Sequence, residues 1–235
     1  MTLRFDVHVH SARTIAGSLP AEHLIRRAEE AGLDGIVLTE LGERWSEREL
    51  VNLRLRTETP LIVLSAEYLI VEDVSLLAYG FWGRLPPLDS LETAVGRIRA
   101  EGGTPVVAYP FDDGAPSLER LRDIGVLGLE VYSANGELPS DEQLAAVERL
   151  GFATVAGSGF RGGEGVSVGD CHTLVDADVR SAQDLAVAIR TGRTRAVFGP
   201  PARAAVGVHP ETMRGRGAYA GSPAGQLATF RPGSS

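Results

Sequence analysis

Apolar and polar positions along the chain follow two alternating periods. Short runs rich in β-branched residues recur at Leu3–Val9, Gly35–Thr39, Leu61–Leu64, Pro105–Ala108, Gly128–Tyr132, Ala153–Ala156 and Arg195–Phe198, with an additional pairing segment near Val74–Gly80. They have the length and composition of buried strands. Between them lie amphipathic stretches. Pro20–Ala31 places Leu24, Ile25 and Ala28 on one face at helical spacing, keeps its arginines outside and stops at Gly32. Ser46–Arg56, Ser90–Glu101, Ser117–Asp123, Ser140–Leu150 and Ser181–Thr191 each open on a serine suited to N-capping, and Gly102, Gly151 and Gly192 close three of them. This alternation predicts a parallel sheet covered by helices. Seven such units in 235 residues fit one (β/α) barrel better than two domains.

A barrel of this kind carries its chemistry at the carboxyl ends of the strands. Polar and metal-capable residues collect there: His8 and His10 after the first strand, Glu40 after the second, Glu67 after the third, then Tyr109, Glu130, Ser158 and Arg161. In Asp6-Val7-His8-Val9-His10 strand alternation points both histidines the same way, about 6–7 Å apart, close enough to grip one metal ion. Asp6 shares that face. Glu67 follows small Ser65 and Ala66 and is the best-placed further ligand, with Glu40 next. Either carboxylate has a plainer role open to it, as a helix cap or an arginine partner. Glu130 sits among apolar residues, where it is a dry functional acid or half of a buried pair with an arginine. Arg13 and Arg161 fall in loops on the same end, where a guanidinium fork receives a phosphate or carboxylate or simply stays solvated. His23, His172 and His209 have no motif partners and are assigned no role.

Composition narrows the chemistry. All 23 basic residues are arginine, which removes P-loop, Schiff-base and lysine-bridged binuclear chemistries. The single Cys171 allows neither an internal disulfide nor a cysteine zinc cluster, and a reducing, cytoplasmic setting follows as the simpler expectation. At 43% hydrophobic and 23% charged the chain reads as one globular domain. With neither a signal-peptide pattern nor an apolar run of about 18 residues it is expected to be soluble. A net charge of −8 argues against a broad nucleic-acid or anionic-membrane surface, while a local arginine cluster remains able to hold one phosphate. The last 37 residues differ, with seven glycines, five prolines and a net charge of +3 against −11 for residues 1–198. The expected division is a barrel over 1–198 and a Gly/Pro/Arg-rich arm over 199–235 that lies across it. Oligomeric state is left open.

The run from Asp6 to Glu40, DVHVHS followed by AGSLPAEHLIRRAEEAGLDGIVLTE, resembles the first two motifs of the polymerase and histidinol phosphatase (PHP) family. The segments LSAEYLI, VVAYPF, GLEVYSANGE, VAGSGFRG and AQDLAVAIRTGRTRAV follow in that family's order, so the resemblance spans residues 3–198. It implies a distorted (β/α)7 TIM-like barrel whose strand ends bind up to three divalent metals and hydrolyse phosphate esters with a metal-bound water. His8, His10 and Glu67 match metal ligands of the family, Glu67 at a position that bridges two ions. The departures are as informative. Thr-Asp-His becomes Thr39-Glu40-Leu41, Ala-His-Pro becomes Ala108-Tyr109-Pro110, and Gly-Ser-Asp-Ala-His becomes Gly157-Ser158-Gly159-Phe160-Arg161. The polar residue usual before the glycine of the first loop is Ala16. Four ligand positions are replaced, and a trinuclear site cannot be assembled from the rest.

Two functions follow from that resemblance. In the first, His8, His10 and Glu67, with Glu40, hold one zinc or manganese ion with an open position for water, and Tyr109 or Arg161 stabilises charge on a phosphoryl oxygen. Phosphate-ester hydrolysis is then weak or altered, because a second metal no longer clamps the reacting oxygens. In the second, the barrel is catalytically silent and binds a small phosphorylated molecule or a partner protein. Leu41, Tyr109 and Gly159, none of them a good ligand, favour it. An amidohydrolase also opens on His-x-His, but it needs histidines on later strands and often a bridging lysine, which this chain lacks.

Overall fold

The computed structural model describes residues 1–84 and 90–200; nearly all of the expected arm, from residue 201 onward, lies outside them. In chain order the elements are β1 (Leu3–Val9), α1 (Ala21–Glu30), β2 (Gly35–Leu41), α2 (Glu47–Thr57), β3 (Ile62–Val71), β4 (Val74–Tyr79), α3 (Leu91–Ala100), β5 (Thr104–Val107), α4 (Leu118–Asp123), β6 (Gly128–Ser133), α5 (Asp141–Arg149), β7 (Ala153–Gly157), β8 (Cys171–Val175), α6 (Ala182–Arg190) and β9 (Thr194–Phe198). The caps explain the helix starts. Ser46, Ser90, Ser117, Ser140 and Ser181 each accept a backbone N–H three residues on, and Glu49, Gln143 and Asp184 return the bond as capping boxes.

Among the described residues one sheet holds all nine strands, in the order β7-β6-β5-β4-β3-β2-β1-β8-β9. Only β4 and β8 run against the rest. The seven parallel strands are those the apolar pattern predicts. β8 is the addition: Cys-His-Thr-Leu-Val carries a weak local signal, and pairing with both β1 and β9 makes it a strand. The sheet curls until the chain after β7 meets β1. Val9 bridges Phe160, the Gly159 amide donates to the His8 carbonyl at 2.8 Å, and the His10 amide donates to the Phe160 carbonyl at 2.9 Å. The result is the distorted (β/α)7 barrel, nearly closed.

Its interior is filled by Phe5, Val7, Val37, Leu64, Ala66, Tyr68, Leu77 and Tyr79, and the apolar face of α6, including Leu185 and Ile189, belongs to the same cluster. α6 therefore plugs one end. Thr104, the first residue of β5, donates its hydroxyl to the Ala186 carbonyl at 2.8 Å, which places the plug at the amino ends of the parallel strands. Outside, α3, α4 and α5 cover β4 to β7, and α1 and α2 cover β1 to β3. Each buried leucine or isoleucine contributes about 1.5–3 kcal/mol relative to exposure. With the amino end sealed, the carboxyl ends of the strands open outward. No helix among the described residues is long and apolar enough to cross a membrane.

Candidate functional site

His8 and His10 are wholly buried at the end of β1, and their Nε2 atoms face each other at 3.0 Å. A register irregularity between Asp6 and Val9 lets His8 join Phe5 and Val7 in facing the barrel interior. Across the barrel, Glu130 of β6 lies 2.9 and 3.1 Å from the His8 Nδ1 through its two oxygens. His8 Nδ1 faces the Glu130 carboxylate, the two Nε2 atoms face each other and share a proton between the rings, and among the described residues His10 Nδ1 has no partner. Burial first, then His8 and the Arg161 charge, hold the His10 imidazole well below the ordinary histidine range, so it is neutral. Gly157 makes the approach possible, since a β-carbon there would lie 2.6 Å from that of His8 and 2.9 Å from Glu130 Oε1.

Aromatic rings close over the pair. Tyr68 lies 5.5 Å from His8 and 4.9 Å from His10 by ring centroid, and Tyr109 lies 5.7 Å from His8. The Tyr109 hydroxyl is buried beside that of Ser133, and burial, with the Glu130 charge, pushes its phenol up. Arg161 stacks 5.4 Å over Tyr68 and donates to its hydroxyl at 3.3 Å. Among the described residues it has no carboxylate within ion-pair distance.

The two glutamates stand apart from the histidines. Glu40 and Glu67 pair across β2 and β3, but Val37 and Leu41 on one strand, and Ala66 and Tyr68 on the other, face the interior cluster. Strand alternation therefore turns both glutamates to the opposite face. Glu40 accepts from the Ser11 and Thr14 hydroxyls and from the Trp45 indole at 3.0 Å. Glu67 faces the Arg44 guanidinium at 3.7 Å. Asp6 accepts three backbone amides, from Ser158 at 2.9 Å, Gly169 at 2.8 Å and His8 at 3.3 Å. Arg13 is held between Glu43 and Glu49, and exposed His23 and buried His172 lie outside the site. Among the described residues no group of three or more His, Cys, Asp or Glu side chains is placed to hold a metal ion. The donor set among the described residues does not fit a hydrolytic metal centre: the two facing imidazole nitrogens bond each other, and the nearest carboxylate, Glu130, is taken up by His8 Nδ1.

Beside Glu67 a cavity of about 660 Å³ opens at the ends of β2 and β3, lined by Arg13, Arg44, Arg84, Trp82 and Ser46 among others. Tyr68, Arg44, Trp82 and Arg84 carry no recognisable motif, and only their neighbours in space reveal them.

A two-domain protein from Bacteroides vulgatus, described as containing a predicted PHP-like metal-dependent phosphoesterase, superposes with a TM-score of 0.65 at 21% identity, over 85% of this chain and 65% of that one. The barrel has the PHP-type fold. PsfC from Pseudomonas syringae matches this PHP-type barrel with a TM-score of 0.61 at 20% identity, over 84% of this chain and 91% of that one. An amidohydrolase from Chromobacterium violaceum, with bound sulfate and no metal, matches with a TM-score of 0.52 at 20% identity, over 75% and 93% of the two chains. The PHP-type barrel thus spans just under two thirds of the first of these proteins. No family model and no curated protein matches the sequence.

Proposed function

We propose that this PHP-type barrel binds a phosphorylated small molecule at its strand ends without efficient hydrolysis, its catalytic centre reduced to a sealed histidine pair. One observation carries the reading: each acid that might gather a metal faces a protein partner instead. Backbone amides hold Asp6, hydroxyls and an indole hold Glu40, His8 holds Glu130, and Arg44 faces Glu67. An ion would have to displace these partners and find room beneath Tyr68 and Tyr109. Metal-assisted hydrolysis also needs an open coordination position for water, and both histidines are 0% exposed.

The ligand's charge is argued from the arginines. Arg161 brings to the barrel mouth beside His10 a guanidinium with no carboxylate partner among the described residues, and Arg13, Arg44 and Arg84 line the neighbouring cavity. The Chromobacterium violaceum protein of the same fold, with its sulfate and no metal, supports anion binding by such a barrel.

A second reading, a single divalent ion on His8 and His10 with weak phosphoesterase activity, draws on the orientation of His8. A carboxylate on Nδ1 is how proteins commonly orient metal-bound histidines. Elemental analysis of the purified protein, followed by phosphomonoester hydrolysis with added manganese or zinc in wild type and His8→Ala, separates the two. The silent reading expects no stoichiometric metal and equal, background turnover in both proteins. Bound metal with turnover that His8→Ala abolishes would establish the second reading instead.

A further inference from the structure

We infer that the ligand is a nucleoside monophosphate and that its base lies against Trp82 in the cavity at the ends of β2 and β3. This rests on the phosphate-binding role proposed for this end of the barrel and adds what else the ligand contains.

Size comes first. At about 660 Å³ the cavity is far larger than a phosphate needs and falls in the range of small-molecule sites, about 300–1,000 Å³. Next is the wall. Trp82 lines it and is 44% exposed, an apolar surface that gains by being covered. The ring does not swing freely. Arg44 stacks on it at 5.2 Å and donates to the carbonyls of Trp82 and Gly83, so guanidinium and indole form a fixed platform. A flat, fixed indole beside cations suits the π-face of a nucleobase.

The floor adds a requirement that phosphate alone does not meet. Glu67 is only 7% exposed, yet among the described residues no group donates a hydrogen bond to it; its sole close partner is Arg44 at 3.7 Å. The Glu67 carboxylate opens onto the cavity, where a sugar hydroxyl or ring N–H reaching the floor can donate to it. The rim supplies the anion's partner. Arg84 is exposed and has no carboxylate within ion-pair distance among the described residues, whereas Arg13 is already held by Glu43 and Glu49. The lining arginines Arg13, Arg44 and Arg84 are balanced by Glu43, Glu47 and Glu67, so the cavity has no positive surplus for a di- or triphosphate. One phosphate, one hydroxyl-bearing sugar and one planar base account for the rim, the floor and the wall.

Calorimetric titration of the full chain with adenosine, guanosine and uridine monophosphates, ribose 5-phosphate and inorganic phosphate tests this. At least one nucleotide should bind wild type about tenfold or more tightly than ribose 5-phosphate, the gain expected of one base stacked on an aromatic ring. Trp82→Ala should erase that preference and leave ribose 5-phosphate affinity unchanged, while Arg84→Ala should weaken all the phosphates together. If ribose 5-phosphate binds as tightly as every nucleotide, or if the preference survives Trp82→Ala, the base has no place here and the inference falls while phosphate binding stands. Absence of binding by all five compounds overturns the phosphate reading and the inference together.

Discussion

The Tyr109 hydroxyl lies 2.8 Å from the point where a β-carbon on Gly159 would sit. By the resemblance to the PHP family these are the positions of the histidine in Ala-His-Pro and the aspartate in Gly-Ser-Asp-Ala-His, and the contact makes the two positions one packing unit. The phenol fills the room an aspartate would need. Gly159 also has φ +60, where a side chain costs about 1–2 kcal/mol before any clash. Gly159→Asp alone should therefore lower unfolding stability by about 2 kcal/mol or more. Adding Tyr109→His should recover part of that loss, with a coupling energy of about 0.5–3 kcal/mol in a urea-melt double-mutant cycle. Strictly additive costs would show that the two positions are independent.

His8 and Glu130 form a buried pair joining β1 to β6, both side chains fully enclosed. Removing one partner strands the other. His8→Leu leaves a buried carboxylate without its donor and should cost about 3–5 kcal/mol, whereas Glu130→Gln, which still offers an oxygen to Nδ1–H, should cost less. The double variant His8→Leu/Glu130→Leu should be more stable than His8→Leu alone. Denaturant midpoints of the four proteins measure this, and a double variant no better than His8→Leu would contradict it.

The fold was legible in the sequence because its information is local. β-branched runs, serine caps and closing glycines each act within a few residues, and they locate the seven parallel strands and six helices. β8 was not legible, since its strand character comes from neighbours on both sides. At the site, the common direction of His8 and His10 followed from strand alternation, but the facing of Glu40 and Glu67 did not. In β3 either Glu67 or Tyr68 must face inward, and Tyr68 does so because its ring fills the barrel and its hydroxyl meets Ser75 at 2.7 Å. The partner of Glu130 proved to be His8, 122 residues away, rather than an arginine. A partner that distant leaves no mark on the residues flanking Glu130.

Asp6 should make stability fall as pH rises through the acid range. Burial pushes its carboxyl from an ordinary value near 3.8 up to about 6, against the opposing hydrogen bonds of Ser158, Gly169 and His8. Between these values the folded protein binds more protons at this site than the unfolded chain does. Stability therefore declines as pH rises from about 4 to about 6, and the full cost of the charge is present above that. His10 acts the other way: held neutral when folded, it weakens the fold as pH drops below the unfolded histidine value of about 6.5. The contrast with Asp6→Asn isolates the carboxyl. The stability difference, wild type minus Asp6→Asn, should decrease with rising pH across that window and flatten above it. A flat difference from pH 4 to 7 would refute the assignment.

Zinc, manganese and chelator should all leave the thermal midpoint where it is. An ion bound only by the folded chain, at a concentration 100 times its dissociation constant, stabilises by about 2.7 kcal/mol. For a chain of this size that raises the midpoint by about 5–10 °C, easily read in a melt. The geometry predicts no such rise. Binding at His8 and His10 would require breaking the bond between their Nε2 atoms, and the remaining positions would have to come from Glu40 and Glu67 on the opposite faces of their strands. Since His8→Ala is itself expected to lose stability, the informative quantity is the shift on adding metal in each protein rather than the midpoints. Shifts near zero in both agree with the sealed pair. A rise of several degrees in wild type that His8→Ala lacks would place an ion on the histidines and make the barrel a one-metal enzyme.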